Sequence, residues 1–178
     1  RFGRGDMAAA ERLVRRALEL ATEVCGEDHP ERAKVLLRLG PVLSRTGRLR
    51  ASVRRYLEAL EVLERAYGER HTVVARAHVN LGASYHRLGE YRESERSYRA
   101  ALRIREALLG PGHPDLVIPL QNLGSLLVDR GRPSEAIPIF QRTWRIRQST
   151  FASAVAQADV GFWLGRALWE SRKAPERG

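Results

Sequence analysis

The sequence predicts an all-α fold, a solenoid of stacked antiparallel helical hairpins with about eight helices. Three observations predict it. Glycine recurs every 42 residues at Gly47, Gly89 and Gly131, and Leu-Gly pairs recur at the same interval. Apolar residues between the glycines are spaced by three or four residues, as on one face of an α-helix. Together, these patterns indicate two helices per repeat and a continuous array of hairpins.

The interval holds for glycine, histidine and apolar residues alike. The matched positions are Gly5, Gly47, Gly89 and Gly131; Gly26, Gly68 and Gly110; His29, His71 and His113; Leu39, Leu81 and Leu123; and Tyr56, Tyr98 and Phe140. A last Leu-Gly pair, Leu164-Gly165, follows its predecessor after 41 residues, so one residue has been lost there.

The second full period shows how each element is predicted. Apolar residues from 72 to 88 follow a helical spacing, and Gly89 ends this helix because glycine tolerates the left-handed conformation common just past a helix C-terminus. A second helix is predicted over 91–109, and Gly110 ends it. Pro114 stands where the next helix begins, a position that tolerates the missing N–H of proline.

Applied to the whole chain, the repeat predicts one array over residues 1–178. Its predicted parts are a second helix of a truncated repeat at 1–26, full repeats at 30–68, 72–110 and 114–150, and the first helix of a truncated repeat at 154–172. Because the repeat starts and stops in mid-hairpin and no initiator Met is present, we expect a fragment of a longer protein.

Small residues inside the predicted helices indicate close packing. Gly40, Gly82, Gly124 and Gly165 each occupy a helix interior, where glycine costs about 1 kcal/mol relative to alanine. Their shared register predicts close approach of a neighbouring helix at each position. Cys25 shares a register with Tyr67 and Leu109 and is predicted to be a small core residue.

Composition excludes several classes of function. The chain is 43% hydrophobic and 29% charged, with a net charge of +10 and one cysteine. Arg or Glu interrupts every apolar run, which argues against a membrane span. A single cysteine excludes an internal disulfide and a Cys-based metal site, and favours a reducing, cytoplasmic compartment. No residue set resembles a catalytic site, so we expect no enzymatic activity and no cofactor.

The recurring histidines His29, His71 and His113 raise the possibility of a metal site. Stacked helices lie about 8–10 Å apart, whereas zinc needs ligands within about 2.1 Å of one point. The sequence therefore predicts loop packing and helix capping for these side chains, and no metal.

The repeat resembles a known motif. Its residues in the second period are Leu81, Gly82, Tyr85, Gly89, Ser94, Tyr98 and Ala101, and they resemble the tetratricopeptide repeat. The 42-residue period and the Gly26-Glu27-Asp28-His29-Pro30 loop are similar to the longer subtype of kinesin light chains and nephrocystin-like proteins. The resemblance implies a right-handed superhelix that binds peptides or proteins without catalysis. In bacteria the subtype is often the tail of a larger signalling ATPase or a protease-associated protein, so the resemblance implies that this chain is the sensor or scaffold part of a larger signalling protein.

The resemblance also implies where a ligand binds, because the first helix of each hairpin lines the concave groove in this family. The predicted peptide-binding residues are Lys34, Arg38, Arg45, Arg76, Asn80, His86, Arg87, Gln121, Asn122, Ser125, Trp163 and Arg166. The same row includes Leu37, Pro41, Val79, Ala83, Ile118, Asp129, Phe162 and Trp169.

These residue types fit an extended acidic peptide. Amides such as Asn80 and Asn122 both donate and accept hydrogen bonds and can hold a peptide backbone of any sequence. Arginines such as Arg38 and Arg76 form charge-assisted contacts with carboxylates. Trp163 is the predicted apolar anchor, with packing at the end of the core as the alternative.

Two other functions stay open at this point. A net charge of +10 attracts polyanions, although Arg alternates with Glu on the second helices, as in ordinary pairing on a solvated face. Nucleic acid is therefore the second candidate partner. The third is self-assembly, including association of two copies through their uncapped terminal helices.

Overall fold

The computed structural model describes residues 4–149 and 154–173, and the regular structure of these residues is entirely helical. The helices are α1 (Arg4–Cys25), α2 (Pro30–Arg45), α3 (Leu49–Tyr67), α4 (Thr72–Leu88), α5 (Tyr91–Leu109), α6 (Val117–Asp129), α7 (Pro133–Ser149) and α8 (Ala154–Lys173), with a 3₁₀ turn at Pro114–Leu116 before α6. The all-α prediction is confirmed.

Contacts divide the chain into two compact units, residues 1–97 and residues 98–178. In the first unit α1 packs on α2, α2 on α3, and α3 on α4. In the second unit α6 packs on α7 and α7 on α8. The core of the second unit is continuous across these helices, with Leu116, Leu126 and Phe140 fully buried in it. The helices named here thus pack against their sequence neighbours.

The turns follow the predicted glycines with one exception. Gly47, Gly89 and Gly131 adopt positive φ values, as do the glycines that end α1, α3 and α5. Gly5, predicted to be a turn by its register, lies instead in the first turn of α1. No described helix precedes it, so no hairpin requires a left-handed residue there. The predicted loop at 150–153 lies outside the described residues.

The predicted close approach of a neighbouring helix is confirmed at Gly40 and Gly124 and is wrong at Gly165. A Cβ atom added to Gly124 would lie 2.6 Å from Cζ of Phe140, and one added to Gly40 would overlap the ring of Tyr56. A Cβ atom added to Gly165, in contrast, would meet nothing within 4 Å among the described residues. The reason is that no described helix covers that face of α8.

The recurring histidines cap helices, as predicted. In each case Nδ1 accepts a hydrogen bond from the backbone N–H two residues further on, at 3.2 Å for His29, His71 and His113. A side-chain acceptor at this position satisfies one of the free N–H groups of the first helical turn. In the described part of the chain, no group of three or more His, Cys, Asp or Glu side chains could hold a metal ion.

We predict that His113→Ala lowers the free energy of unfolding by about 1 kcal/mol through loss of this cap. His113→Asn should stay within a few tenths of the parent, since asparagine supplies an equivalent acceptor. Urea denaturation followed by circular dichroism measures both. Equal losses in the two variants would show that capping is not the role of His113.

Cys25 is exposed, so the prediction of a core residue is wrong. It is the last residue of α1, and Tyr67, which ends α3 at the same register, is exposed as well. Both residues end their helices, and register alone does not determine whether a side chain at a helix end is buried.

Among the described helices, none combines the length and the apolar character that a membrane crossing needs.

Candidate functional site

The predicted ligand-binding residues of the first unit share one surface of α2 and α4. Their positions follow the same spacing on both helices, with Lys34, Arg38 and Arg45 on α2 and Arg76, Asn80 and Arg87 on α4. All six side chains are exposed or half-buried. The core-facing residues of the same helices are buried: Ala33, Leu36 and Leu43 of α2, and Val74, Ala77 and Leu81 of α4. We call these six residues the α2/α4 face.

Positive charge on the α2/α4 face is only partly neutralised within the chain. Nζ of Lys34 donates to Oε1 of Glu31 at 2.6 Å, and this hydrogen bond raises the pKa of Lys34. Arg38 and Arg76 are exposed and have neither a hydrogen bond nor an ion pair with any described residue. Two guanidinium groups are therefore available to a ligand.

Arg87 stabilises this face through hydrogen bonds to Ser44. Its Nη1 donates to the backbone oxygen of Ser44 at 2.7 Å and to the Ser44 hydroxyl oxygen at 2.5 Å. These bonds join the last turn of α4 to the last turn of α2. The neighbouring His86 ring packs edge-on against Tyr91, with 5.8 Å between ring centroids. Both side chains hold the end of the face in place.

Asn80 lies at the centre of the α2/α4 face with an unused amide. The side chain is half-buried and has no hydrogen-bond partner among the residues that the structure describes. The adjacent Val79 is buried, as is Leu37 of α2, so the prediction that these two line a groove is wrong. Successive helical residues are turned by about 100°, so Leu37 and Val79 face the core although Arg38 beside Leu37 is exposed and Asn80 beside Val79 is half-buried.

The second unit has a corresponding surface on α6 and α8, which we call the α6/α8 face: Ile118, Gln121, Asn122, Ser125 and Asp129 on α6, and Phe162, Trp163 and Arg166 on α8. Asn122 occupies the register of Asn80, is half-buried and likewise lacks a hydrogen-bond partner in the described ranges, as does Ser125.

The side-chain amide of Gln121 forms hydrogen bonds with two residues of other helices. Its Nε2 donates to Oδ2 of Asp159 on α8 at 2.8 Å, and its Oε1 accepts from Nη2 of Arg147 on α7 at 2.7 Å. The amide therefore links three helices. Sequence reasoning missed Asp159 and Arg147, because neither belongs to a motif and their roles come from helix packing.

Arg166 is also paired. Its Nε donates to Oε1 of Glu170 at 2.8 Å, and its Nη2 lies 3.4 Å from Oδ1 of Asp129. The hydrogen bond to Glu170 raises the pKa of Arg166. Its guanidinium group also lies over the ring of Trp163, with 5.2 Å from Cζ to the ring centroid.

The aromatic residues of α8 have different environments. Trp163 is half-buried and stacks on Phe140, with ring centroids 6.2 Å apart and an interplanar angle of 17°. Phe162 is 66% exposed, and Ile118 on α6 is 59% exposed. Trp163 therefore packs at the end of the core, whereas Phe162 and Ile118 expose apolar surface to solvent.

A shallow cavity outside both faces was not predicted. It has a volume of about 390 Å³ and is lined by Pro111, Gly112, Arg142, Arg145, Ile146 and Ser149. Arg142 is held by Oε1 of Glu106 at 2.5 Å and by the backbone oxygen of Pro111 at 2.7 Å. The cavity arises where a loop meets α7, and no repeat pattern marks it.

Comparison with known proteins identifies the repeat. A family model described as tetratricopeptide repeat matches residues 1–65, 31–107 and 73–149. No curated protein gave a match. Among solved structures, BtubC (BKLC) from P. vanneervenii is 27% identical with a TM-score of 0.76, and the match covers 84% of this chain and 59% of that one. The chain thus spans less than two thirds of BtubC.

Two more distant structures share the fold. A putative kinesin light chain from Podosopora anserina, with nearly identical TPR-like repeats, is 16% identical with a TM-score of 0.81, covering 95% of this chain and 81% of that one. The apo form of RapI is 20% identical with a TM-score of 0.70, covering 81% and 50%. At these identities the likeness concerns the helical-repeat solenoid alone.

Proposed function

The chain belongs to the tetratricopeptide repeat family, whose repeats act as protein–protein interaction scaffolds, and we propose that it binds an extended acidic segment of a partner protein on the α2/α4 face. One observation carries the proposal: Arg38 and Arg76 are exposed and form no hydrogen bond or ion pair with a described residue, and they share their surface with the Asn80 amide, which also has no described hydrogen-bond partner.

The arginines supply selectivity for charge. Other cations in this unit form ion pairs, as Arg65 does with Asp28 at 2.8 Å and Arg55 with Glu58 at 2.8 Å. Arg38 and Arg76 bind a partner carboxylate without first breaking an internal ion pair. Guanidinium groups bind carboxylates in two parallel hydrogen bonds, which are stronger than neutral ones.

The amide of Asn80 supplies contacts that do not depend on the partner's sequence. A half-buried amide without a partner has unused donors and acceptors. An extended peptide offers N–H and C=O groups in alternation, so one asparagine side chain can bind both. Asn122 provides the same group on the α6/α8 face, where exposed Ile118 and Phe162 add apolar contact.

The charge contribution is tested with a fluorescent short peptide rich in Glu and Asp, together with its Gln/Asn analogue. Fluorescence polarisation should show tighter binding of the acidic peptide, and Arg38→Gln with Arg76→Gln should weaken it by about tenfold or more. The matched control is Arg92→Gln with Arg96→Gln on α5, which removes the same charge from exposed positions outside the face. Equal losses in both double variants would overturn the site.

The amide contribution is tested by substituting alanine for Asn80. We predict weaker binding of both peptides, by about threefold to tenfold, because the lost hydrogen bonds go to the peptide backbone. Helix content, measured by circular dichroism, should not change. Unchanged affinity would contradict the role assigned to Asn80.

Nucleic acid remains the alternative partner because of the net charge of +10. It predicts binding of any oligonucleotide at low salt, with affinity that falls steeply as salt increases. Tight oligonucleotide binding that the Arg38/Arg76 double variant leaves intact would favour this alternative. Self-assembly, the third candidate, predicts a mass in sedimentation velocity that rises with concentration.

The proposal describes binding without catalysis and without a cofactor, and it places the module in the cytoplasm as part of a signalling assembly. It rests on family membership and on the chemistry of the α2/α4 face.

A further inference from the structure

The shallow cavity beside α7, which we call the α7 cavity, carries a charge that the repeat does not require. None of the described residues that line it is acidic. Two periods earlier in the sequence, the matched positions show what the fold accepts there. They are Glu27, Asp28, Glu58 and Glu61, and their counterparts at the cavity are Pro111, Gly112, Arg142 and Arg145. Four carboxylates are thus replaced by two guanidinium groups and two uncharged residues.

The earlier repeat shows how a carboxylate is bound at this place. Oδ1 of Asp28, in the loop before α2, accepts a hydrogen bond from Nη2 of Arg65 on α3 at 2.8 Å. Gly112 has the position of Asp28 and carries no side chain. A Cβ atom built on Gly112 would meet nothing within 4 Å among the described residues. The α7 cavity is therefore open where the earlier repeat has an anionic group of its own.

Arg142 is held in position by the chain itself. Its Nη1 donates to Oε1 of Glu106 and its Nη2 to the backbone oxygen of Pro111. In the earlier repeat the equivalent loop oxygen, that of Glu27, accepts instead from the buried Arg32 at 3.1 Å. An arginine thus binds the loop carbonyl in both repeats. Because a guanidinium group has more N–H donors than these two bonds use, Arg142 is positioned by the chain and still has donors for a ligand.

Two further groups that line the α7 cavity have unused donors. Arg145 is exposed and has neither a hydrogen bond nor an ion pair with a described residue. The backbone N–H of Gly112 likewise has no acceptor among the described residues. Pro111 and the buried Ile146 contribute apolar surface to the same cavity. The cavity thus combines donors for an anion with an apolar wall for the group that carries the anion.

The set of donors favours a phosphate monoester over other anions. A monoester has three acceptor oxygens and a charge of about −1.5 to −2 at neutral pH, so it can accept from two guanidinium groups and a backbone N–H together. A carboxylate, or a phosphodiester of nucleic acid, has a charge of about −1. The volume of about 390 Å³ lies within the range of small-ligand sites, about 300–1,000 Å³, so the alcohol part of the ester has room as well.

We propose that the α7 cavity binds a phosphate monoester, whose oxygens accept from Arg142, Arg145 and the N–H of Gly112. The esterified alcohol packs against Pro111 and Ile146. Two sources share this chemistry, a phosphorylated side chain of a partner protein and a small phosphorylated molecule. The proposal does not rest on the α2/α4 face, because none of the six residues of that face lines the cavity.

The ligand is tested with two fluorescent short peptides of otherwise uncharged sequence, one with phosphoserine at its centre and one with serine. Fluorescence polarisation at low salt measures their binding to the full chain, with glycerol 3-phosphate as a competing small monoester. We expect saturable binding of the phosphopeptide, at least about tenfold tighter than that of the serine peptide, and displacement by glycerol 3-phosphate. Tighter binding of the phosphopeptide than of glycerol 3-phosphate assigns the ligand to a partner protein, and the reverse order assigns it to a small molecule. Equal binding of the two peptides would overturn the proposal.

The place of binding is tested with two substitutions. Gly112→Asp introduces the carboxylate that Asp28 supplies in the earlier repeat, at a residue without positive φ and with open space around it. Arg145→Gln removes a guanidinium group that has no described partner. Each should weaken phosphopeptide binding by about tenfold or more, while the helix content measured by circular dichroism stays unchanged.

The matched control is Arg103→Gln. Arg103 is exposed on α5 at the register of Arg145 and does not line the α7 cavity, so its substitution should leave the affinity unchanged. A loss for Arg145→Gln no larger than for Arg103→Gln would overturn the site. Loss of phosphopeptide binding in the variant with Arg38→Gln and Arg76→Gln would overturn it too, since the phosphate would then bind on the α2/α4 face, and that result would leave the proposed function intact.

Discussion

Replacing Phe140 with alanine is expected to lower the free energy of unfolding by about 3–5 kcal/mol. The ring is fully buried in the core of the second unit, stacks on Trp163 and fills the recess at Gly124. Its removal leaves a cavity between α6, α7 and α8 that the rigid helices cannot close. Chemical denaturation of the full chain measures the loss, which should appear as a lower midpoint.

A double-mutant cycle separates the contribution of the contact between Gly124 and the Phe140 ring from that of the ring's other packing contacts. Gly124→Ala alone should cost about 1–3 kcal/mol, because its new Cβ would lie 2.6 Å from the Phe140 ring. In the Phe140→Ala background the clash is gone, and the same change should instead gain up to about 1 kcal/mol of helix propensity. Gly165→Ala is the matched control and should be stabilising in the parent. Additive effects of the two substitutions would contradict the assigned contact.

Replacing Arg32 with alanine is expected to cost about 2–3 kcal/mol. The buried guanidinium group donates to Thr22 Oγ1 on α1 at 2.9 Å, to the backbone oxygen of Glu27 at 3.1 Å and to Oε1 of Glu58 on α3 at 2.6 Å. One side chain thus joins α1, the following loop and α3.

The expected loss is moderate because Glu58 keeps a second partner, Arg55, at 2.8 Å. Arg54→Ala, at an exposed position of α3, is the control and should stay within about 0.5 kcal/mol of the parent. Thermal unfolding followed by circular dichroism compares the two. A loss for Arg32→Ala no larger than for Arg54→Ala would show that the three hydrogen bonds contribute nothing.

Local features of the fold could be predicted because they repeat. Glycine at 47, 89 and 131 ends helices wherever a helix precedes it, and the loop histidines cap helices through atoms two residues away. Interactions of this kind involve few residues and depend little on distant parts of the chain. Gly5 shows the limit, since its register matches that of the turn glycines while no described helix precedes it and it lies within α1.

The candidate site could be predicted only as a row of positions. Arg38, Arg87 and Arg166 were all predicted to bind a peptide, yet Arg38 has no hydrogen bond or ion pair with a described residue, Arg87 donates to Ser44 and Arg166 donates to Glu170. The partners of the latter two depend on side-chain geometry within and between helices. Repeat register does not contain that information.

Sequence by itself thus determined the helices, their turns, the 42-residue register and the tetratricopeptide family, because each depends on residue type and local spacing. Tertiary structure alone decided which cations are available, that Trp163 packs on Phe140, and that Gly165 is open while Gly124 is filled. Those outcomes depend on contacts between helices far apart in the chain. Equivalent residues therefore have different functions wherever their neighbouring helices differ.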